Sequence, residues 1–517
     1  MTQLPSRLAA ATRARDAQDW ATARRLYGEA LAATPGSAEI TLELAVCALA
    51  TADASEALRL AATVTDPAFV GRAALLRGKI CQLAGHIDVA AGEYERGLAD
   101  PQTPPDMRRP AAMALAELTL NQFGDPARAE GILQTLQESS PDKAAEATLI
   151  ADMYLGRYRG AALAERFIAH AQRHIAAPEA RPRTDPTASP RATRKPRARP
   201  ARRRTLIGVL SPSLFATPVG FLTLGAFESL AAQADLVFFD RRPRKDWVSE
   251  GLRATAKSWH DVSKLGYQAL ANELREAELD AVIDCGGWTD VSALTALSLR
   301  PCPRQFKWVG GQALTTGLDC FDGFLTDERQ VPKSSEGSYI EPIKRFSTSY
   351  VTYVPPPYFD YVAGQQQAQA SLPKAREQVY ALVSNPAKIG PETIEFVKSL
   401  RPKKLWLVDT RWRHARTRAH LLPALTETAD TVEYLTPTGH REYLETLRDL
   451  PATFIDTRPY NMGLTAIELL LLGKPIVGPP RRPGGLMYER HSFGHERATR
   501  FDHYDTQAAE LLQWCRS

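Results

Sequence analysis

Residues 454–477 read FIDTRPYNMGLTAIELLLLGKPIV. A short apolar run ends at Ile455, a loop rich in turn-forming residues follows, and an apolar helical run reaches Leu472 before a second short strand. Apolar strands that alternate with helices are typical of a parallel, doubly wound sheet. The segment therefore predicts a strand, loop, helix and strand within an α/β domain.

Two sets of such strands follow one another along the chain. The first set is LIGVLSPS (206–213), DLVFFD (235–240), DAVIDCGG (280–287), RQFKWVGG (304–311) and FDGFLTD (321–327). The second set comes after a Pro-rich break at 355–357 and is QVYALVSN, KKLWLVDT, TVEYL, ATFIDT and KPIVGPP. We predict two tandem Rossmann-like domains, residues 205–372 and 373–517, with ligand at the carboxyl ends of the strands.

Residues 1–176 are rich in alanine and repeat a pattern of small residues that ends in proline. Three copies are Ala23, Tyr27, Ala30 and Pro35; then Ala57, Ala61, Val64 and Pro67; then Ala90, Tyr94, Gly97 and Pro101. The spacing is that of tetratricopeptide repeats, in which small residues let paired helices pack closely. A generic array of helical hairpins is the alternative. Either one predicts a concave surface that binds a protein or peptide.

The net charge of +5 is concentrated in one segment. Residues 181–204, RPRTDPTASPRATRKPRARPARRR, hold ten Arg or Lys and one Asp, so the rest of the chain is net acidic. The prolines prevent a continuous helix, whereas a nucleic-acid binder spreads cationic and aromatic side chains over a folded surface. We interpret 177–204 as a basic linker, either a solvated tether or one that adheres to acidic surfaces, and predict no nucleic-acid partner.

The overall composition is that of a soluble globular protein, with 44% hydrophobic and 24% charged residues. The six cysteines form no CxxC pair, so we expect reduced and mostly buried thiols. No apolar run in the second half approaches the ~20 residues that span a bilayer, and MTQLPSRLAAATRARDAQDW lacks the apolar core of a signal peptide. The sequence therefore predicts a cytoplasmic protein.

Lys388 is the first candidate for contact with a ligand. It lies in SNPAKI (384–389), between a predicted strand and the helix that starts near Pro391. A lysine at such a turn can place its ammonium over a diphosphate, and Asn385 can donate to a phosphate or a base. A solvated surface lysine is the alternative.

His440 is the second candidate and follows TPTG (436–439) at a predicted helix N-terminus. The helix dipole favours a neutral ring there, which suits contact with a base or phosphate. A histidine that caps the helix is the alternative.

The third candidate segment is DTRPYNMGLTAIE (456–468). Free N–H groups in the first turn of its helix, with the side chains of Asn461 and Thr465, can cradle phosphates. Glu468 lies in the apolar run Ile467–Leu472, so we expect it to be buried and partnered. The partner is either a pair of ribose hydroxyls or an arginine in a structural salt bridge.

These segments together resemble a known family. NPAKI (385–389), TPTGHREYLETL (436–447) and the segment 454–477 are similar to the nucleotide-binding half of glycosyltransferase family 41, the O-GlcNAc transferase family and its bacterial relatives. The similarity continues upstream through VIDCGGWTDVSALTALSLRPCPRQFKWVGGQALTTGLDCFDGFLTD (282–327). The resemblance covers most of residues 205–500 and implies a GT-B fold, two tandem Rossmann-like domains, preceded by an all-α tetratricopeptide-like repeat domain.

The resemblance also implies roles for individual residues. Lys388 would bind the diphosphate as the catalytic group, His440 would contact the uridine and Glu468 would bind the ribose. The rest of the nucleotide-sugar site would comprise Asn385, Tyr460, Asn461, Gly463, Leu464 and Thr465. The sugar and acceptor side would comprise Trp288, Thr217, Thr315, Thr316 and Gly317.

The chain departs from the family after its first strand. Members carry a His-Pro-x-x-x-His type element there, discussed as a source of the catalytic base, but here SLFATPVGF (213–221) has Thr217 and Phe221 at the two histidine positions. None of the ten histidines lies between residues 175 and 259. Lost activity, another base and a different donor remain open. Thr438 also stands where many members have a lysine near the nucleotide.

Taken together, the sequence predicts an inverting glycosyltransferase that moves a hexosyl or N-acetylhexosaminyl group from a UDP-sugar to a protein side chain held by the repeats. No Asp-x-Asp motif occurs, so we expect neither a metal ion nor another cofactor. One alternative is a flagellin-type transferase that uses a CMP-activated nonulosonic acid. The other is a non-catalytic protein-binding scaffold with a vestigial GT-B half.

Overall fold

The computed structural model describes residues 3–176, 204–311, 314–360, 378–480, 484–490 and 500–517. Contacts group the chain into two compact units. The first is Met1–Ala151 with Asn385–Ala387 and Arg411–Ala424; the second is Asp152–Ser384, Lys388–Thr410 and Leu425–Ser517. The predicted linker, apart from Arg204, and the predicted border near residue 372 lie outside the described residues and stay predictions.

The N-terminal part of the described chain is entirely helical. Its helices are α1 (Gln3–Asp16), α2 (Trp20–Ala33), α3 (Ala38–Ala50), α4 (Ala54–Ala62), α5 (Val70–Leu83), α6 (Ile87–Ala99), α7 (Pro105–Asn121), α8 (Pro126–Gln134), α9 (Pro141–Leu155) and α10 (Gly160–His174). Ala23, Ala57 and Ala90 are fully buried, as expected where paired helices pack closely. Asp19 and Asp53, one repeat apart, cap α2 and α4 by accepting a backbone hydrogen bond. Within the described residues, no helix is both long and apolar enough to cross a membrane.

Seven parallel strands form the first Rossmann-like domain. Its elements are β1 (Leu206–Ser211), α11 (Pro218–Ala231), β2 (Asp235–Asp240), α12 (Trp247–Thr255), β3 (Ala256–Asp261), α13 (Tyr267–Glu276), β4 (Ala281–Asp284), α14 (Val291–Ser298), β5 (Gln305–Trp308), β6 (Gly323–Thr326) and β7 (Ile343–Arg345). The strand order is β3-β2-β1-β4-β5-β6-β7. Strand β1 is buried along its whole length, as a central strand covered on both faces should be.

Five parallel strands form the second Rossmann-like domain. Its elements are β8 (Val379–Leu382), α15 (Pro391–Leu400), β9 (Lys404–Val408), α16 (Ala415–Thr426), β10 (Thr431–Leu435), α17 (His440–Asp449), β11 (Thr453–Ile455), α18 (Leu464–Leu471) and β12 (Ile476–Val477). The strand order is β10-β9-β8-β11-β12, so the order reverses between β8 and β11. The last helix, α19 (Tyr504–Arg516), packs on α11 of the first domain. The predicted fold class, helical repeats followed by two tandem Rossmann-like domains, is confirmed.

Most of helix α16 belongs to the first compact unit together with the repeat helices. The Nδ1 atom of His414, just before α16, lies 2.7 Å from a carboxylate oxygen of Asp88. Arg416 donates two hydrogen bonds, of 2.7 and 2.8 Å, to Glu95, and its guanidinium lies over the ring of Phe123. The Arg416 bonds hold the pKa of Glu95 below its usual value. Because these partners come from far apart in sequence, the repeat pattern alone did not predict this contact.

Helix α10 and the end of α9 pack within the second unit rather than with the repeats. The ring of Phe167 on α10 meets Trp288 of the first Rossmann-like domain edge-on, with centroids 4.9 Å apart. Arg159, just before α10, forms a salt bridge with Glu392 of the second domain. Helices continue to His174, but the first compact unit ends at Ala151. This boundary lies 25 residues before the end of the predicted 1–176 domain. The reason is the apolar stripe of α10, which is buried against the Rossmann-like domains.

All six cysteines are buried, and all are free thiols. Burial raises the pKa of Cys285 and of Cys302 to about 12. Thiols in that state are poor nucleophiles and poor metal ligands. The structure therefore confirms the expectation of reduced, buried cysteines.

Gly317 shows how closely α10 approaches the first Rossmann-like domain. Its φ is +74°, and a Cβ there would lie 2.6 Å from the Cβ of Ala171 and 2.9 Å from the Cα of Ile168. We expect Gly317→Ala to lower the free energy of unfolding by roughly 2–4 kcal/mol, since it combines left-handed strain with overpacking. Urea denaturation measures this change.

The control for that experiment is Gly337→Ala. A Cβ at Gly337 would have no atom within 4 Å, so we expect a change of less than about 1 kcal/mol. Equal stability of the two variants would show that α10 is not held against this loop.

Candidate functional site

The candidate site lies where β8 and β11 end, next to each other in the second sheet. The strand order reverses between these two strands, and open parallel sheets bind ligands at the carboxyl ends of strands beside such a point. The turn after β8 leads to Lys388, and the loop after β11 leads into α18. Two of the three segments singled out in the sequence therefore converge at one edge.

Lys388 is held in place by the loop that precedes α18. Its Nζ atom donates a 2.7 Å hydrogen bond to the carbonyl oxygen of Asn461 and lies 3.9 Å from the ring centroid of Tyr460. The ammonium thus has a carbonyl and an aromatic face as neighbours, both of which favour a cation. Lys388 is half-buried, not freely solvated. A positive charge is therefore positioned beside the start of α18.

Asn385 uses its side chain locally. It groups with the first compact unit, and its Oδ1 accepts a 3.0 Å hydrogen bond from the N–H of Ala387. This bond closes a side-chain turn of the kind that asparagine often makes. The predicted contact of Asn385 with a phosphate or base stays a prediction.

A buried carboxylate shapes the loop between β11 and α18. Asp456 is fully buried and accepts hydrogen bonds from Arg458 (2.7 Å), from the side-chain amide of Asn461 (2.8 Å) and from the N–H of Met462 (2.9 Å). Asn461 is itself fully buried. Its side-chain amide therefore donates into the loop, and only the main chain of Asn461 reaches Lys388. The predicted phosphate cradle thus lacks this side-chain donor.

The start of α18 remains the best place for an anion. Gly463 precedes the helix and offers no capping side chain. The N–H of Ala466 donates to the carbonyl oxygen of Gly463 at 3.1 Å, so an anion would meet the N–H groups ahead of Ala466. The hydroxyl of Thr465 lies 3.2 Å from that of Tyr443. The predicted role of Gly463, Leu464 and Thr465 in phosphate binding therefore depends on main-chain groups.

Glu468 is buried and bonded to His440. Its Oε1 lies 2.7 Å from the Nε2 of His440 and accepts a longer, 3.4 Å bond from the hydroxyl of Tyr353. The Nδ1 of His440 lies 2.8 Å from the hydroxyl of Tyr358. The expected burial and pairing of Glu468 are observed, and its protein partner is a histidine rather than an arginine. The predicted contact of Glu468 with the ribose stays a prediction. Both ring nitrogens of His440 are engaged.

Phe221 covers one face of His440. The two rings stack with centroids 5.0 Å apart and planes 28° apart. A nucleoside base stacked on this face of His440 would lie about 3.5 Å from the His440 ring. It would take the place of the Phe221 ring, so Phe221 would have to move. Phe221 occupies one of the two positions where the related family has histidine.

Thr217, at the other of those positions, caps α11. Its Oγ1 accepts a 3.4 Å bond from the N–H of Gly220 and lies 3.2 Å from the carbonyl oxygens of Ser213 and Phe215. Threonine is a favoured residue at the start of a helix. Its place on the acceptor side stays a prediction.

The structure brings Trp288, Thr315, Thr316 and Gly317 together under α10. The indole N–H of Trp288 donates to the carbonyl of Thr315 at 2.8 Å, and Trp288 is only 4% exposed. Glu341 accepts hydrogen bonds from both threonine hydroxyls and from the N–H of Thr316, at 2.5–2.7 Å. Burial raises the pKa of Glu341. These polar groups therefore bond within the protein, although they were predicted to face sugar or acceptor.

Sequence reasoning missed Glu341, Tyr358 and Tyr154. Glu341 stands alone in the loop before β7, and no spacing links it to Thr315. Tyr358 could have been noticed, since it follows the Pro-rich break at 355–357 between the two Rossmann-like domains. Tyr154 lies in a helix whose sequence resembles that of an ordinary repeat helix.

Among the residues that the structure describes, no group of three His, Cys, Asp or Glu side chains is placed to hold a metal ion.

Comparison with known proteins supports this architecture. Residues 14–80 match the model of the tetratricopeptide repeat. A mutant O-GlcNAc transferase from Thermobaculum terrenum superposes with a TM-score of 0.64 at 21% identity, over 100% of this chain and 90% of that one. ADP-heptose lipopolysaccharide heptosyltransferase II from E. coli gives a TM-score of only 0.28, at 15% identity over 60% of this chain and 99% of that one. No curated protein matches the sequence significantly.

The fold is therefore that of a tetratricopeptide-repeat segment joined to a GT-B pair of Rossmann-like domains. More particularly, this fold is similar to that of the O-GlcNAc transferase from Thermobaculum terrenum. The resemblance to glycosyltransferase family 41 seen in the sequence is thus confirmed at the level of the fold. An identity of 21% carries no statement about activity.

The bond between Glu468 and His440 leads to a test. We expect Glu468→Gln to lower the free energy of unfolding by about 1–3 kcal/mol, because a buried charge-assisted hydrogen bond loses its charge. Chemical denaturation followed by near-ultraviolet circular dichroism measures the change. Glu445→Gln serves as the control, since Glu445 forms a partly exposed pair with Arg441 that should contribute less than about 0.5 kcal/mol. Equal stability of both variants would contradict a structural role for Glu468.

Proposed function

We propose that this protein is an inverting, metal-independent glycosyltransferase that moves a sugar from a nucleotide donor, a UDP-sugar, to a protein side chain. One observation carries the proposal. The ammonium of Lys388 is positioned beside the N-terminus of α18, at the reversal point of a sheet whose fold is shared with an O-GlcNAc transferase. Two sources of positive potential then meet where a diphosphate would lie.

The proposed reaction needs that charge on the leaving group. The acceptor oxygen or nitrogen forms a bond to the anomeric carbon while the bond from that carbon to the diphosphate breaks. The nucleoside diphosphate leaves with the electron pair, and the acceptor proton passes to solvent water. Lys388 and the first-turn N–H groups of α18 would stabilise the negative charge that develops on the diphosphate.

Neither family position for a catalytic base carries one here. Phe221 cannot accept a proton, and Thr217 is a neutral hydroxyl that caps its own helix. His440 has both nitrogens engaged, with Glu468 and Tyr358. We therefore propose that leaving-group stabilisation and positioning provide most of the rate acceleration.

The repeats would hold the protein acceptor. A groove of about 340 Å³ in the first unit is lined mainly by apolar side chains, among them Leu42, Val46, Leu76, Tyr94, Met107 and Ala111. Apolar grooves on helical repeats suit an extended segment of a partner protein. Acceptor choice would therefore lie in the helical part of the chain, and the chemistry in the GT-B part.

Two observations favour other functions. Thr217 and Phe221 stand where the related family has two histidines, which favours a changed donor such as a CMP-activated nonulosonic acid. Internal bonding of Glu468, Thr315 and Thr316 favours a non-catalytic protein-binding scaffold, because a closed network needs no ligand. Ligand binding separates these possibilities from the proposal.

Nucleotide binding is therefore the first measurement. We expect UDP to raise the melting temperature and CMP to leave it unchanged, because only a ligand of the folded state stabilises it. A shift with CMP alone would favour the nonulosonic acid donor. No shift with either nucleotide would favour the scaffold.

Lys388→Ala tests the site itself. We expect transfer to fall by roughly 10²-fold with little change in melting temperature, because a charge on the leaving group is lost. The control is Lys404→Ala, because the Nζ of Lys404 also lies over an aromatic ring, 4.0 Å from the ring centroid of Trp406. Lys404 is at the start of β9, at the opposite end of the strands from Lys388. Full activity of Lys388→Ala would remove this residue from the site.

A further inference from the structure

Tyr460, the ring that the ammonium of Lys388 overlies, packs against two further tyrosines. The ring of Tyr460, which the ammonium of Lys388 overlies, has its centroid 5.3 Å from that of Tyr154 and 5.6 Å from that of Tyr488. Tyr488 meets Tyr460 edge-on, with planes 88° apart. Burial raises the pKa of the Tyr460 hydroxyl well above its usual value, so the ring stays neutral. The platform beneath the cation is therefore fixed by neighbouring rings.

Tyr154 comes from the helical segment and not from either Rossmann-like domain. It lies near the end of α9, in the part of that helix that belongs to the second unit, and is 8% exposed. The chain after it is anchored on the second domain. Arg159 pairs with Glu392, and Gly160 approaches so closely that a Cβ there would lie 2.9 Å from the carbonyl oxygen of Gly484. These contacts hold Tyr154 against Tyr460.

We propose that Tyr154 is a positioning residue for Lys388, acting through the ring of Tyr460. Without the ring of Tyr154, Tyr460 gains room to turn about its side-chain bonds, and the ammonium above it loses its fixed aromatic face. A displacement of about 1 Å at a reacting group can cost 10²-fold in rate. Only the expected effect on the reaction rate rests on the proposed function. The position of the Lys388 ammonium can be measured without any assumption about activity.

The first experiment measures that geometry. Reductive methylation of the full-length protein with ¹³C-formaldehyde labels lysines as dimethylamines, and the resonance of Lys388 is assigned by its loss in Lys388→Arg. A group 3.9 Å above a ring is shifted upfield by the ring current. We expect this shift in the parent protein and in Tyr154→Phe, and its loss in Tyr154→Ala and Tyr154→Leu.

Lys404 provides an internal control, because it lies 4.0 Å above the ring of Trp406. Its resonance should stay unchanged in every variant and so reports that the second domain is folded. Tyr154→Leu keeps a buried apolar side chain but removes the planar ring, so it still tests the ring contact if Tyr154→Ala fails to fold. An unchanged Lys388 resonance in a folded Tyr154→Leu variant would overturn the proposal.

The second experiment is a double-mutant cycle on nucleotide binding, measured by calorimetry with UDP and with uridine. We expect Tyr154→Leu to weaken UDP binding by about tenfold and uridine binding by less than about twofold, since only UDP carries the diphosphate. In the Lys388→Ala background, Tyr154→Leu should change UDP affinity by less than about twofold. If Tyr154→Leu lowered UDP affinity equally in the parent protein and in Lys388→Ala, the proposal that Tyr154 acts through Lys388 would be overturned. If the parent protein binds neither ligand, the proposed function fails, while the resonance of Lys388 still decides the role of Tyr154.

Discussion

The buried carboxylate of Asp456 is the constraint on which the candidate site depends. A charge removed from water must be compensated by hydrogen bonds, and here an arginine, an amide and a backbone N–H supply them within seven residues. That requirement sets the path of the chain from β11 to α18. The carbonyl of Asn461 and the ring of Tyr460 then lie where Lys388 meets both. The hydrogen bonds that one buried charge requires thus determine where a second charge, that of Lys388, lies.

The same rule explains why several expected ligand groups bond within the protein. Glu468 and Glu341 are buried, so each must have donors nearby, and the chain provides His440 for one and two threonines for the other. Phe221, at one of the two positions where the resemblance predicted histidine, stacks on His440 and makes an apolar contact there.

The helical segment has two physically different parts. Up to Ala151 its helices pack on one another through small residues, as repeats do. Beyond Asp152 the helical segment carries two large aromatic side chains, Tyr154 and Phe167, which contact Tyr460 and Trp288 of the Rossmann-like domains. Helix α10 and the end of α9 are therefore part of the α/β unit in their packing, although they resemble repeats in their sequence.

The sequence by itself determined the elements and their order, because helices and strands follow from local periodicity, and parallel strands from their alternation with helices. It also located Lys388, His440 and Glu468, since lysine, histidine and glutamate beside strand ends or in an apolar run stand out locally. Tertiary structure alone decided the partners: Glu468 with His440, Thr315 and Thr316 with Glu341, Trp288 with α10, and Tyr154 with Tyr460. These pairs join residues between 25 and more than 300 positions apart. Periodicity reports which face of an element is buried, but the side chain that it meets is set by how separate elements pack in space.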